Sequence, residues 1–256
     1  MSVQVVAFVN HKGGVGKTTS VANIGAALGR EGKRVLLVDL DPQAYLSSAV
    51  GIQVGEDAPS VYEVLTGVVA AEGATVAPSE FYDVLPSTLA LSRLEVEFGA
   101  HAGRDLLLRR ALELPREAYD WILIDCPPSL GMLMLNALAA ATAYVVPVQT
   151  EYFALRGLGT LEEIIEQAHD YLNSALVPLG VLPTLYDGRK NQHSDTLAEL
   201  KESYGELVLP SVRMNVALAD AQKAGRDIFA FRANAHGAED YAAVARELLV
   251  RAEGGA

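Results

Sequence analysis

The chain has 256 residues, half of them hydrophobic and a fifth charged, with 32 acidic against 20 basic side chains and a formal net charge of -12. That length suits one large α/β domain with a well-buried core, and the acidic balance excludes a protein coated with nucleic acid over its whole surface, although not a local basic patch. The single cysteine, Cys126, excludes an internal disulfide or a multi-thiolate metal site, and with neither a leader before the first apolar run nor a run of membrane-spanning length the expected location is the cytoplasm.

Residues 3–9 are apolar and rich in β-branched side chains, which predicts a strand. Residues 20–29 carry apolar side chains at helical spacing. Between them lies Asn10-His11-Lys12-Gly13-Gly14-Val15-Gly16-Lys17-Thr18-Thr19. Strand, glycine loop, Lys-Thr and helix is the context that a phosphate-binding loop requires. The glycines let backbone N–H groups turn toward the phosphates, and the helix N-terminus adds free donors and a positive dipole end. In that reading Gly13, Gly14, Val15, Gly16 and Thr19 cradle a nucleoside triphosphate, Lys17 reaches its β- and γ-phosphates, and the Thr18 hydroxyl ligates Mg²⁺. One position departs from the usual pattern: His11 stands where the motif has its first glycine, and an additional lysine, Lys12, follows it.

Residues 35–38 form a continuous apolar run, as expected of a parallel strand buried on both faces. The run ends in Asp39-Leu40-Asp41-Pro42, whose two acids point to the same side at the C-terminal edge of the strand, where open α/β sheets bind ligands. Asp41 can there orient or deprotonate an attacking water, or hold the metal's water shell; an ordinary Asp-Pro turn is the plain alternative. Residues 51–58 and 72–80 are expected to be loops within one domain. A short helix is predicted over 60–67, a strand over 81–86, and helices over 89–98 and 104–114, with Glu95, Glu97, Arg104, Arg109 and Arg110 on solvated faces.

Residues 121–124 are apolar and end in Asp125, the pattern of a carboxylate that supports Mg²⁺ beside the nucleotide. Cys126 reads as a small buried hydrophobe. Pro127-Pro128 fixes a rigid exit, and the loop it opens is placed to sense the γ-phosphate before a helix over 132–141. Strands over 144–149, 177–186 and 206–209 alternate with helices over 160–173, 194–203 and 237–251, leaving residues 253–256 as a flexible tail of the domain 1–252. Alternation without hairpin signals predicts a single-domain α/β P-loop NTPase, its mainly parallel twisted sheet flanked by helices on both faces. Basic residues gather late in the chain at Arg189, Lys190, Lys201, Arg213, Lys223, Arg226 and Arg232, interspersed with acids. They are either ordinary surface or a cluster that forms in three dimensions and meets DNA phosphates.

Together these motifs resemble the ParA/MinD family of deviant-Walker ATPases, and most closely its ParA (Soj-type) partition branch. The matching segments are Lys12-Gly-Gly-Val-Gly-Lys17-Thr-Thr, Val38-Asp-Leu-Asp41-Pro-Gln43, Ile124-Asp125-Cys-Pro-Pro-Ser129, Pro147-Val-Gln-Thr-Glu151-Tyr-Phe-Ala-Leu, Arg213-Met-Asn215 and Gly237-Ala-Glu-Asp-Tyr241. The resemblance implies that Lys12 is the signature lysine, reaching the partner's phosphates across an ATP-dependent homodimer. It implies that Asp41 positions the attacking water, that Asp125 serves the metal, and that Arg213 and Asn215 lie in the segment contacting the adenine. It further implies Mg²⁺-dependent ATP hydrolysis stimulated by a ParB-like partner, sequence-independent binding of double-stranded DNA, and a cytoplasmic, nucleoid-associated location. On that reading Arg189, Lys190, Lys223, Arg226 and Arg232 are the candidate DNA contacts. Several relatives carry arginine within the stretch corresponding to residues 229–236, where this chain has Ala230, Asn234 and His236. The alternative is a MinD-like, membrane-associated ATPase that positions division sites or cargo. That branch ends in a basic amphipathic helix, whereas residues 238–251 hold Glu239, Asp240 and Glu247, so no membrane contact is expected.

Overall fold

The computed structural model describes residues 3–55, 58–151 and 158–254. Seven strands, β1 (Gln4–Phe8), β2 (Val35–Asp39), β3 (Val76–Ser79), β4 (Tyr82–Leu85), β5 (Trp121–Asp125), β6 (Ala143–Gln149) and β7 (Val177–Thr184), form one sheet in the order β3-β4-β2-β5-β1-β6-β7. Every pairing is parallel except β3 with β4. The period of two in β1 divides the core. Val5 and Ala7 pack with the helices Met132–Ala140 and Leu158–Tyr171 on one face; Val6 and Phe8 pack with Lys17–Arg30 and His236–Gly254 on the other. Both faces are covered, which is why the central strands read as unbroken apolar runs.

Register sets the site. Asp39 pairs with Asp125, and Phe8 pairs with the same Asp125, so the C-terminal ends of β2, β5 and β1 finish level with one another. The loop after β1, the acids after β2 and the acid closing β5 therefore meet at one edge of the sheet.

Local structure departs from expectation in several places. β3 and β4 form an antiparallel hairpin in a region expected to lack one, with Ser79 opposite Tyr82; the intervening Glu80-Phe81 has none of the glycine or asparagine that marks such turns. The strand expected over 206–209 is a 3₁₀ turn, Gly205–Leu207, followed by a single bridge from Val208 to Val181; Pro210 then prevents the ladder from continuing. The helices expected over 89–98 and 104–114 each begin as 3₁₀ turns, and the last helix continues to Gly254. Among the described residues, five helices had no sequence forecast: Tyr45–Ala49, Ala71–Ala74, Pro115–Ala118, Val216–Lys223 and Ile228–Arg232. Glu95, expected on a solvated face, is exposed yet accepts a hydrogen bond from Met132 N–H at 3.1 Å. Tyr152, Phe153, Ala154 and Leu155 of the 147–155 motif lie outside the described residues.

Candidate functional site

The site is built from the loop after β1. The Asn10 amide ties it at both ends, donating to the Pro147 carbonyl at 2.8 Å and accepting from Lys12 N–H at 2.9 Å. Gly14 and Gly16 take φ values of 75° and 83°, the left-handed region that side chains avoid, and this lets the backbone curl into the first turn of the helix Lys17–Arg30. The Thr184 hydroxyl, from the end of β7, donates to Val15 O at 2.8 Å and closes the loop from the far side. Lys17 is buried, its ammonium bonded to Asn10 O at 2.8 Å and Lys12 O at 3.0 Å. Burial lowers the pKa of Lys17, and the nearby Asp125 opposes that shift. His11, in the place of the usual glycine, has a buried Nδ1 with no hydrogen-bond partner among the described residues.

Three acids stand beside the loop in different environments. Asp125 is fully buried; its Oδ2 accepts from the Thr18 hydroxyl at 2.7 Å while its Oδ1 has no hydrogen-bond partner among the described residues. Burial, and then the charge of Asp39, push its pKa well up. Asp39 is also fully buried, accepting from Ser47 N–H and hydroxyl at 2.8 and 2.7 Å; burial raises its pKa to about 6. Asp41 instead lines the cleft, one oxygen accepting from Gln43 N–H at 2.9 Å. Only a hydroxyl and one or two carboxylates are on offer, a donor set that suits Mg²⁺ completed by phosphate and water. The unpartnered Asp125 oxygen beside Thr18 is where such a cation fits.

The opposite wall of the cleft, a cavity of about 610 Å³, is made by Thr184, Leu185, Val212, Arg213, Asn215 and the helix Val216–Lys223. It is joined by bridges between distant segments. Tyr186 pairs with Arg213, and Met214 N–H donates to Tyr186 O at 2.8 Å. Arg213 is the hub. Asp240 accepts from its backbone N–H at 2.9 Å and from Nε and Nη2 at 3.0 and 2.6 Å, and Glu239 takes Nη2 at 3.0 Å. The guanidinium is thus committed to an ion cluster that raises its pKa further, chiefly through Asp240. Asn215 caps the helix Val216–Lys223, its Oδ1 accepting from Ala217 N–H at 2.9 Å, so its amide protons are the donors left to the cleft. Gln222 donates across the cleft to the Thr19 hydroxyl at 2.8 Å, and the buried Tyr241 hydroxyl meets Ser20 at 3.2 Å. Sequence reading did not single out Thr184, Gln222 or the Asp240 clamp as site elements, and took Asp39 only as the companion of Asp41 at the strand edge; the 237–241 motif alone pointed toward the clamp. Among the described residues, two non-glycine residues have positive φ, Ala44 at 53° and Leu185 at 54°: one follows the Asp41 turn and the other lines the far wall.

The structure divides the five candidate DNA contacts. Arg189 is exposed and paired with Asp187 at 2.8 Å, beside Lys190 in the turn before the helix Asn191–Tyr204. Lys223 lines the cleft mouth, while Arg226 and Arg232 are exposed beyond it. Cys126 is buried beneath the loop, its thiol pushed up by burial and by Asp125.

The family model described as an AAA domain matches residues 3–177. The sporulation initiation inhibitor protein Soj of Bacillus subtilis is 41% identical over 249 residues, covering 96% of this chain and 98% of Soj. The chromosome partitioning protein ParA of Caulobacter vibrioides is 40% identical, covering 97% of this chain and 95% of its own length. The chain belongs to the ParA/MinD family of P-loop ATPases. It is an ATP hydrolase by that membership. A solved structure, cobyrinic acid a,c-diamide synthase from Mycobacterium smegmatis with bound ADP and magnesium, superposes with a TM-score of 0.87 at 39% identity, covering 99% of this ATPase and 97% of that chain.

Proposed function

We propose that the protein is a DNA-partition ATPase in which ATP joins two copies into a dimer that binds DNA without sequence preference, and in which hydrolysis, stimulated by a ParB-like partner, releases it. The observation that carries this reading is the meeting of Lys12, Lys17, Thr18, Asp41 and Asp125 at one sheet edge. Loop N–H groups and Lys17 hold the β- and γ-phosphates of ATP. Thr18 and Asp125 hold Mg²⁺, which when bound neutralises charge on the transferring phosphoryl group. Asp41 orients the attacking water by accepting its proton in a hydrogen bond. Lys12, delivered to the partner's phosphates, supplies a second cation beside Lys17, so the site is completed by dimerisation. Asn215 directs its amide protons toward the adenine, while Arg213 acts from behind, holding that segment in place.

A paired binding assay tests this. Sedimentation or fluorescence should show ATP-dependent, salt-sensitive binding to duplexes of arbitrary sequence and none to anionic vesicles. Vesicle binding without DNA binding would select the MinD-like reading instead. Against that alternative, the last helix buries Tyr241, Val244, Ala245 and Leu248 in the core, and no helix among the described residues is long and apolar enough to cross a membrane. The likeness to a diamide synthase favours a third reading, ATP-dependent amidation of a carboxylate. The sole cysteine, buried and with its thiol pKa raised, is unsuited to releasing ammonia from glutamine. Formation of an amide from cobyrinic acid, ammonia and Mg-ATP would establish that reading.

A further inference from the structure

The cations Arg226 and Arg232 stand outside the nucleotide cleft, yet their segment is tied to it at two points. The first is a backbone crossing. The chain after the Asp41 turn passes through the helix Tyr45–Ala49 to Gly51, which lies directly against Gly225 at the end of the helix Val216–Lys223. A Cβ on Gly225 would sit 2.7 Å from Gly51 Cα, and a Cβ on Gly51 would sit 2.8 Å from Gly225 O. Both residues have positive φ, 63° and 82°. No side chain separates the two segments here, so a shift of either backbone toward the other must move it. Arg226 follows immediately, and its N–H is held by Ala221 O at 3.1 Å.

The second tie is polar and starts from the phosphate loop. Gln222 donates to the Thr19 hydroxyl at 2.8 Å. The buried Asn23 donates to Thr19 O at 2.7 Å and accepts from Ile228 N–H at 2.7 Å, at the start of the helix that carries Arg232. The acid side of the cleft and the phosphate loop thus both end on residues 222–232.

We propose that the Gly51–Gly225 crossing, with the Gln222–Thr19 tether, is the coupling element through which nucleotide state sets the position of Arg226 and Arg232. Gly51, Gly225 and Gln222 are positioning residues for that basic segment. The inference deepens the proposed function, and rests on it only for the identity of the ligand that the arginines meet.

Hydrogen–deuterium exchange of the full chain with Mg-ATPγS or Mg-ADP tests the coupling without DNA. Amides of 226–232 should exchange at least fivefold more slowly with ATPγS in the wild type. In Gly225→Ala that difference should vanish, while amides of 13–19 still respond to nucleotide, which reports an intact fold and site. Should Gly225→Ala fail to fold, Gln222→Ala should cut the same difference at least twofold. Equal exchange in the two wild-type states, or a wild-type difference retained in the variants, overturns the proposal. A DNA arm separates the two ideas. ATP-loaded Gly225→Ala should lose about tenfold in duplex affinity and match the ADP form. If exchange behaves as expected while neither protein binds DNA, the coupling stands and the DNA reading falls.

Discussion

The two walls of the cleft are built on different principles. The phosphate-loop wall is local: ten consecutive residues, closed by bonds such as Lys12 N–H to Asn10 and Lys17 to Asn10 O, carry most of its groups. The far wall is assembled from segments more than 20 residues apart, with Arg213 clamped by Asp240 and Tyr241 reaching back to Ser20. Chemistry is concentrated on the first wall and positioning on the second. Substitutions in the first should therefore change turnover, and those in the second should change nucleotide affinity and stability.

The largest effect is expected at Asp41. Asp41→Ala should lower turnover by roughly 10²–10³-fold, the scale of removing one group aligned with a phosphoryl-transfer transition state, while ATP binding persists. Steady-state hydrolysis beside equilibrium nucleotide binding checks this, and wild-type turnover would remove Asp41 from its role. Lys12→Gln should lower turnover by roughly 10–10²-fold and weaken ATP-driven dimerisation in sedimentation velocity. If both remain normal, the idea of a lysine acting across the dimer is lost.

On the far wall, Asp240→Ala removes four bonds to Arg213 and should cost about 2 kcal/mol in urea unfolding. It should also raise KM for ATP about tenfold with kcat changed less than twofold. A matching fall in kcat would place Arg213 in the chemistry and blur the contrast between the walls.

The last effect is one of pH. Asp39 has a folded pKa of about 6 against 3.8 for the unfolded chain. Between those values the folded chain keeps the proton that the unfolded chain has lost, so stability falls as pH rises through the window, by about 3 kcal/mol in full. In the nucleotide- and metal-free protein, Asp39→Asn should flatten the dependence of the urea midpoint on pH between 4 and 7. An unchanged slope would assign the pH dependence to other groups.

The same contrast decides what could be read from sequence. The loop was legible because its function needs contiguous residues in a fixed order, and the unbroken apolar runs of β2 and β5 revealed a sheet buried on both faces. The far wall was not. Asp240 and Arg213 are 27 residues apart, and nothing local to either specifies their pairing. Asp39 and Asp41 look alike as a pair, yet register with Asp125 buries the first, while the turn at Pro42 leaves the second on the cleft. The β3–β4 hairpin escaped notice because Glu80-Phe81 makes its turn without the usual residues.

Ala44 and Leu185, the two side-chain-bearing residues held at positive φ among the described residues, follow the Asp41 turn and line the far wall respectively. A left-handed conformation costs such residues about 1 kcal/mol, and glycine would relieve it, but glycine also gives the unfolded chain nearly that much extra entropy. The two changes almost cancel in equilibrium stability and do not cancel in stiffness. A glycine at Ala44 should thus leave stability nearly unchanged while loosening the backbone beside the Asp41 turn.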